Sequence, residues 1–157
     1  VWTVAYSPNG TKIASGVEGC TISIWNAATG KQQTQPLSHG KTVCSIVWSP
    51  DSRRIISACN DGQIHFWSAP VASGAQLGSP LQAHFDKINL LAISPNGELI
   101  ASHGASRDHT ARVWSTSTRK PFGRVLQHAD RVSTIAFSPD GQHVVTGDVQ
   151  NTIFLWD

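Results

Sequence analysis

Four stretches of the chain end in three consecutive apolar residues: Val4-Ala5-Tyr6, Ile46-Val47-Trp48, Leu91-Ala92-Ile93 and Ile135-Ala136-Phe137. An apolar run that does not alternate predicts a strand buried on both faces. These strands are expected over residues 1–6, 43–48, 88–93 and 132–137. Each is followed by Ser-Pro, then Asn or Asp, then Gly or Ser. Proline presets φ and glycine accepts a positive φ, so each stretch predicts a tight turn. Second strands follow over 12–15, 54–57, 99–102 and 143–146, and third strands, each ending in Trp, over 21–25, 63–67, 110–114 and 152–156. Weaker fourth strands are expected over 32–37, 76–81 and 122–126. No segment repeats its apolar positions at helical spacing, so the pattern predicts an all-β chain with four strands per unit.

The units form an internal repeat. Ser-Pro falls at 7–8, 49–50, 94–95 and 138–139, a period of 42, 45 and 44 residues. Tryptophan recurs at 25, 67, 114 and 156, and histidine at 39, 84 and 128. The step from Pro to Trp is 17, 17, 19 and 17, so the third unit carries two extra residues. A four-stranded unit of this size cannot bury both faces alone, whereas copies stacked around an axis cover one another. The opening His, the Ser-Pro-Asp-Gly turn and the closing Trp, with Trp156-Asp157 giving the Trp-Asp dipeptide once, resemble the WD40 family over the whole chain. The context from Thr29-Gly30 to His39, and from Gly78 to His84, looks like the large WD40 arrays of fungal proteins. The resemblance implies β-propeller blades in an incomplete ring, with blades over 1–38, 43–82, 88–127 and 132–157, the last without its outermost strand. It also implies that each end blade exposes an apolar face, and that the remaining blades belong to a longer chain.

Blades of this family carry a hydrogen-bonded tetrad of His, Ser or Thr, Asp and Trp. Carried over by position, it falls on His39, Ser57, Asp61 and Trp67 in the second unit and on His84, Ser102, Asp108 and Trp114 in the third. The fourth offers His128, Thr146 and Trp156, with Gln150 in the Asp place and Asp148 as a substitute from a shifted turn. The first offers Ser15 and Trp25, with Gly19 in the Asp place and no His. Ser, His and Asp together invite a catalytic reading, but a triad needs an exposed nucleophile and an oxyanion hole. Here the set recurs in each unit, the Ser lies mid-strand, and no Gly-x-Ser-x-Gly elbow is present. The tetrads therefore read as structural, and no catalytic residue is assigned. The repeat histidines lie in different units, and Cys59 with His65 is too few ligands for zinc. No phosphate-cradling glycine motif occurs, so neither metal nor cofactor is expected.

Charged residues make up 14% of the chain, too few for a coiled coil or a disordered acidic tail. No apolar stretch reaches the roughly 18–20 residues of a membrane helix, so no membrane association is expected. There is no Met, even at position 1, so the chain reads as part of something longer. Cys20, Cys44 and Cys59 form no CxxC pair, which fits reduced thiols in an intracellular protein of the cytoplasm or nucleus. Charge is uneven: Arg107, Arg112, Arg119, Lys120, Arg124 and Arg131 stand against Asp108 and Asp130. These are either ordinary solvated charges or a patch for nucleic acid or a phosphate ligand.

The expected function is a non-enzymatic scaffold for other proteins, with the nucleic-acid or phosphate surface as the alternative. If the His and Asp of a tetrad meet, their loops share one rim. That rim would then carry Lys41, Phe85, Lys87, Arg131 and the insertion Ala105-Ser106-Arg107, with Arg119, Lys120 and Arg124 opposite. Phe85 stands where the other units hold Gly40 and Ala129. An aromatic beside cations fits an interface hot spot; the competing reading folds Phe85 back over its own unit.

Overall fold

In each unit a serine closes the first turn. Ser7 Oγ donates to Asn9 Oδ1 and accepts from the Lys12 amide, and Ser49, Ser94 and Ser138 repeat the arrangement with Asp51, Asn96 and Asp140. Gly10, Gly97 and Gly141 then take positive φ, as the turn requires. The second unit places Ser52 there at φ 60°, a strained choice for a residue with a Cβ. Its hydroxyl is buried and accepts the Asn9 amide of the neighbouring unit at 3.1 Å.

These turns connect strands in a computed structural model that describes residues 1–69, 75–105 and 107–157. Among the described residues all regular structure is strand. The first sheet holds β1 (Thr3–Tyr6), β2 (Lys12–Gly16), β3 (Thr21–Asn26) and β4 (Leu37–Ser38). The second holds β5 (Val43–Trp48), β6 (Arg54–Cys59), β7 (Gln63–Ser68) and β8 (Leu81–Gln82). The third holds β9 (Ile88–Ile93), β10 (Leu99–Gly104), β11 (Thr110–Ser115) and β12 (Leu126–Gln127). The fourth holds β13 (Val132–Phe137), β14 (Val144–Asp148) and β15 (Ile153–Trp156). Every pairing is antiparallel between sequence neighbours.

The sheets stack in chain order, with β5 packed between β1 and β9, and β13 packed on β9 and β10. Three apolar layers fill the spaces between them. Ala14, Ile22 and Ile24 meet Ile46, Trp48 and Ile55. Ile56, Ile64 and Phe66 meet Leu91, Ile100 and Trp114. Ala101, Ala111 and Val113 meet Ile135 and Val144. The arrangement is an open stack of propeller-like sheets rather than a closed barrel.

The end sheets expose an apolar face, as the resemblance implied: Val4 and Tyr6 of β1 and Ala136 of β13 are exposed. The fourth strands need correction, because they are not continuous. Each is an isolated bridge (Trp25 with Gln32, Trp67 with Gln76, Trp114 with Pro121) followed by a two-residue strand. Between the two lie Pro36, Pro80 or Gly123, residues that withhold an amide or weaken a strand.

Candidate functional site

The third sheet assembles its four polar residues into one chain of hydrogen bonds. The Trp114 indole N–H donates to Ser102 Oγ at 3.0 Å. Ser102 lies 2.8 Å from His84 Nε2, and His84 Nδ1 lies 2.5 Å from Asp108 Oδ2. With the carboxylate on Nδ1, that nitrogen donates and Nε2 accepts from the serine hydroxyl. The second Asp108 oxygen accepts from Thr110 Oγ1. Gly104 makes room for this, because a Cβ there would meet Oδ2 at 2.6 Å. Burial holds His84 below its ordinary pKa, opposed by its bond to Asp108.

In the second sheet Trp67 donates to Ser57 Oγ at 3.0 Å, and Ser57 lies 2.8 Å from His39 Nε2. Asp61 does not join them. Its carboxylate accepts the Gln63 amide at 3.1 Å within its own turn, while His39 Nδ1 lies 3.3 Å from the Leu37 carbonyl. The His39 ring packs 4.8 Å from His65 and 4.7 Å from Trp67. Burial, then the neighbouring His65, bring its pKa down to about 4.

The fourth sheet keeps Trp156 on Thr146 at 2.8 Å and Thr146 on His128 at 3.1 Å. Asp148 caps the Gln150 and Thr152 amides, Gln150 reaches Asp130, and His128 Nδ1 is buried without a hydrogen-bond partner among the described residues. The first sheet retains the bond from Trp25 to Ser15, at 2.8 Å. Ser57, Ser102 and Thr146 are fully buried, so none presents a nucleophile to a substrate. Among the described residues no three His, Cys, Asp or Glu side chains gather to hold a metal.

Lys41, Phe85, Arg107 and Arg131 are exposed and Lys87 is half-buried. Ser106, within the insertion, lies outside the described residues. Phe85 does not fold back: it is 97% exposed. It borders an open depression of about 300 Å³ together with Asp86, Arg107, Asp108, Thr110 and Arg112. The Lys87 ammonium lies 5.5 Å from the centroid of Trp2, which is also exposed. Sequence reasoning passed over Trp2 and Asp86. Trp2 falls outside the recurring Trp positions, and nothing in the repeat marks Asp86.

Two basic residues of the third unit, Arg119 and Arg124, are engaged in packing. The Arg119 guanidinium donates to the Leu77 and Ser79 carbonyls and stacks 4.6 Å from Phe66, tying the third sheet to the second. Arg124 lies over Trp156 at 5.7 Å. With Arg119 and Arg124 engaged in packing, these two cations lend no support to the nucleic-acid or phosphate surface.

The family model described as "WD domain, G-beta repeat" matches residues 1–26, 30–68, 74–115 and 120–157. The chain is 27% identical to the U5 small nuclear ribonucleoprotein 40 kDa protein of Dictyostelium discoideum, over 100% of this chain and 43% of that protein. It is 28% identical to the B-type cell cycle switch protein ccs52B of Medicago truncatula, over 97% of this chain and 31% of that one. It is 30% identical to the Periodic tryptophan protein 2 homolog of Dictyostelium discoideum, over 99% of this chain and 17% of that one. The chain therefore spans less than half the length of these curated relatives.

Proposed function

Because the chain belongs to the WD-repeat family, we propose that it is a non-enzymatic scaffold whose rim of Lys41, Phe85, Lys87, Arg107 and Arg131 binds another protein. One observation carries the choice of rim: Phe85, 97% exposed, shares an open depression with Arg107. An aromatic ring held in water by rigid sheets is poised for burial by a partner, and the guanidinium beside it supplies directed donors. The family supports a scaffold in general. Relatives named for a ribonucleoprotein particle and a cell-cycle switch fit work inside a larger intracellular assembly, in the nucleus or the cytoplasm. The blades of this reading span 1–38, 43–82, 88–127 and 132–157.

Phe85→Ala and Arg107→Ala test the rim. Proteins captured by the wild-type chain are compared with those captured by each variant, and thermal unfolding is followed in parallel. Loss of the same captured protein in both variants, at unchanged unfolding temperature, is the expected result. Capture that survives both substitutions would place the partner elsewhere.

A further inference from the structure

Ser-Pro occurs five times in the chain, and one occurrence lies outside the repeat turns. Ser7, Ser49 and Ser94 are buried and Ser138 is half-buried. Each of these hydroxyls is bonded both to the Asn or Asp two residues on and to a following amide. Ser79, which precedes Pro80, differs on every count. It is exposed, and its hydroxyl makes no hydrogen bond among the described residues. It stands on the outer edge of the second sheet, between the Trp67–Gln76 bridge and β8. Residues 78–80 form no ladder with β7 there, so the segment can be drawn out without unpairing a strand.

A cation is already in place at this serine. Arg119, in the loop after β11, donates from Nη1 to the Ser79 carbonyl at 2.8 Å and from Nη2 to the Leu77 carbonyl. Gly78 leaves it room, because a Cβ there would meet Nη1 at 2.6 Å. These bonds use one N–H of each terminal nitrogen and leave a further N–H on each. A phosphate on Ser79 Oγ would sit on the residue whose carbonyl Arg119 holds, so the spare donors lie within its reach. Phosphoserine brings about two negative charges and several acceptor oxygens to that contact. A phosphate free in solution gains little from so few donors, whereas one tethered beside them is held at high effective concentration.

We propose that Ser79 is a phosphorylation site for a proline-directed protein kinase, and that Arg119 receives the phosphate. Pro80 has no amide N–H and a fixed φ. The enzyme that fits is one whose cleft asks no hydrogen bond of the residue after the serine. The γ-phosphoryl group of Mg-ATP passes to Ser79 Oγ. The bond from the γ phosphorus to its bridging oxygen breaks, the Oγ–P bond forms, ADP leaves, and the hydroxyl proton goes to the carboxylate base of the kinase. The product ties the outer edge of the second sheet more firmly to the third, because a charge-assisted contact joins the two carbonyl bonds. The inference uses neither the rim around Phe85 nor its partner.

For the test, the full chain is incubated with Mg-ATP and a proline-directed kinase, and the phosphate is mapped by mass spectrometry. Ser79 should be modified at least about tenfold faster than Ser7, Ser49, Ser94 or Ser138, whose hydroxyls open only on local unfolding. Ser79→Ala should remove the fast incorporation. Phosphate spread evenly over the five serines, or absent from Ser79, would overturn the site. The contact is read by phosphorus NMR during a pH titration. The phosphate of the folded protein should titrate at least about half a unit below that of the same phosphoprotein in urea, since a nearby guanidinium favours the dianion. Arg119→Gln should bring the midpoint back to about 6, while Arg119→Lys, which keeps the charge, should retain part of the lowering. Equal midpoints in folded and unfolded protein, or a lowered midpoint that survives Arg119→Gln, would overturn Arg119 as the receiver.

Discussion

The second and third sheets hold the same four residue types at matching places and wire them differently. In the third, Asp108 closes the network on His84; in the second, Asp61 accepts from its own Gln63 amide and His39 faces the Leu37 carbonyl. The separation from Ser to Asp is four residues in the second unit and six in the third. The short turn holds the Asp61 carboxylate over its own Gln63 amide, while the longer one lets Asp108 reach across to the histidine. A repeat motif thus decides which groups are present, and the backbone of the intervening turn decides which of them meet.

The largest contrast is expected on removing the two carboxylates. Asp108→Ala strands a buried imidazole N–H and should cost about 2–4 kcal/mol in equilibrium unfolding. Asp61→Ala removes one turn hydrogen bond and should cost about 0.5–1 kcal/mol. Equal losses would break the comparison.

Acid should cost the second sheet more than the third. His39 has its pKa lowered from 6.5 to about 4 when folded. The native state therefore binds fewer protons than the unfolded chain between those values. Its contribution is fully present above pH 6.5 and is lost as pH falls towards 4. The full span corresponds to about 3 kcal/mol. Imidazole resonances followed by NMR should show His39 titrating below His84, whose lowering Asp108 opposes. A reversed order would mean that Asp61 supports His39 in solution.

Lengthening the second turn should convert one arrangement into the other. Inserting Ala-Ser between Asn60 and Asp61 gives the carboxylate the reach that Asp108 has. The His39 midpoint should then rise by about one unit or more, since a nearby carboxylate favours the charged imidazole. An unmoved midpoint would show that turn length is not the cause. The smallest effect is expected in the fourth sheet. Gln150 stands four residues after Thr146, the spacing of Asp61 after Ser57, so an Asp there should stay in its own turn rather than reach His128 Nδ1. Gln150→Asp then only loses the bond to Asp130, and a cost of about 0.5 kcal/mol is expected in the same unfolding measurement.

The repeat could be read from the chain because its marks are local. Ser-Pro with Asn or Asp builds its turn from adjacent atoms, and the indole-to-hydroxyl bonds join strands paired in simple register. The place of Asp61 is legible only from its spacing to Ser57, four residues against six in the third unit, and not from the four residue types. The broken fourth strands could have been anticipated from Pro36, Pro80 and Gly123. The outward pose of Phe85 could not, since its equivalents Gly40 and Ala129 carry no ring to compare.

Arg119 has a mechanical consequence. Its guanidinium clamps two carbonyls of the second sheet's outer segment from a loop of the third. The fourth sheet is held to the third by apolar contact and by Arg124 over Trp156. A load applied between the two termini would meet unequal seams. The fourth sheet should peel away at low force, while the second and third yield together in one larger step. Arg119→Ala should split that step in a single-molecule extension trace and leave the first rupture where it was.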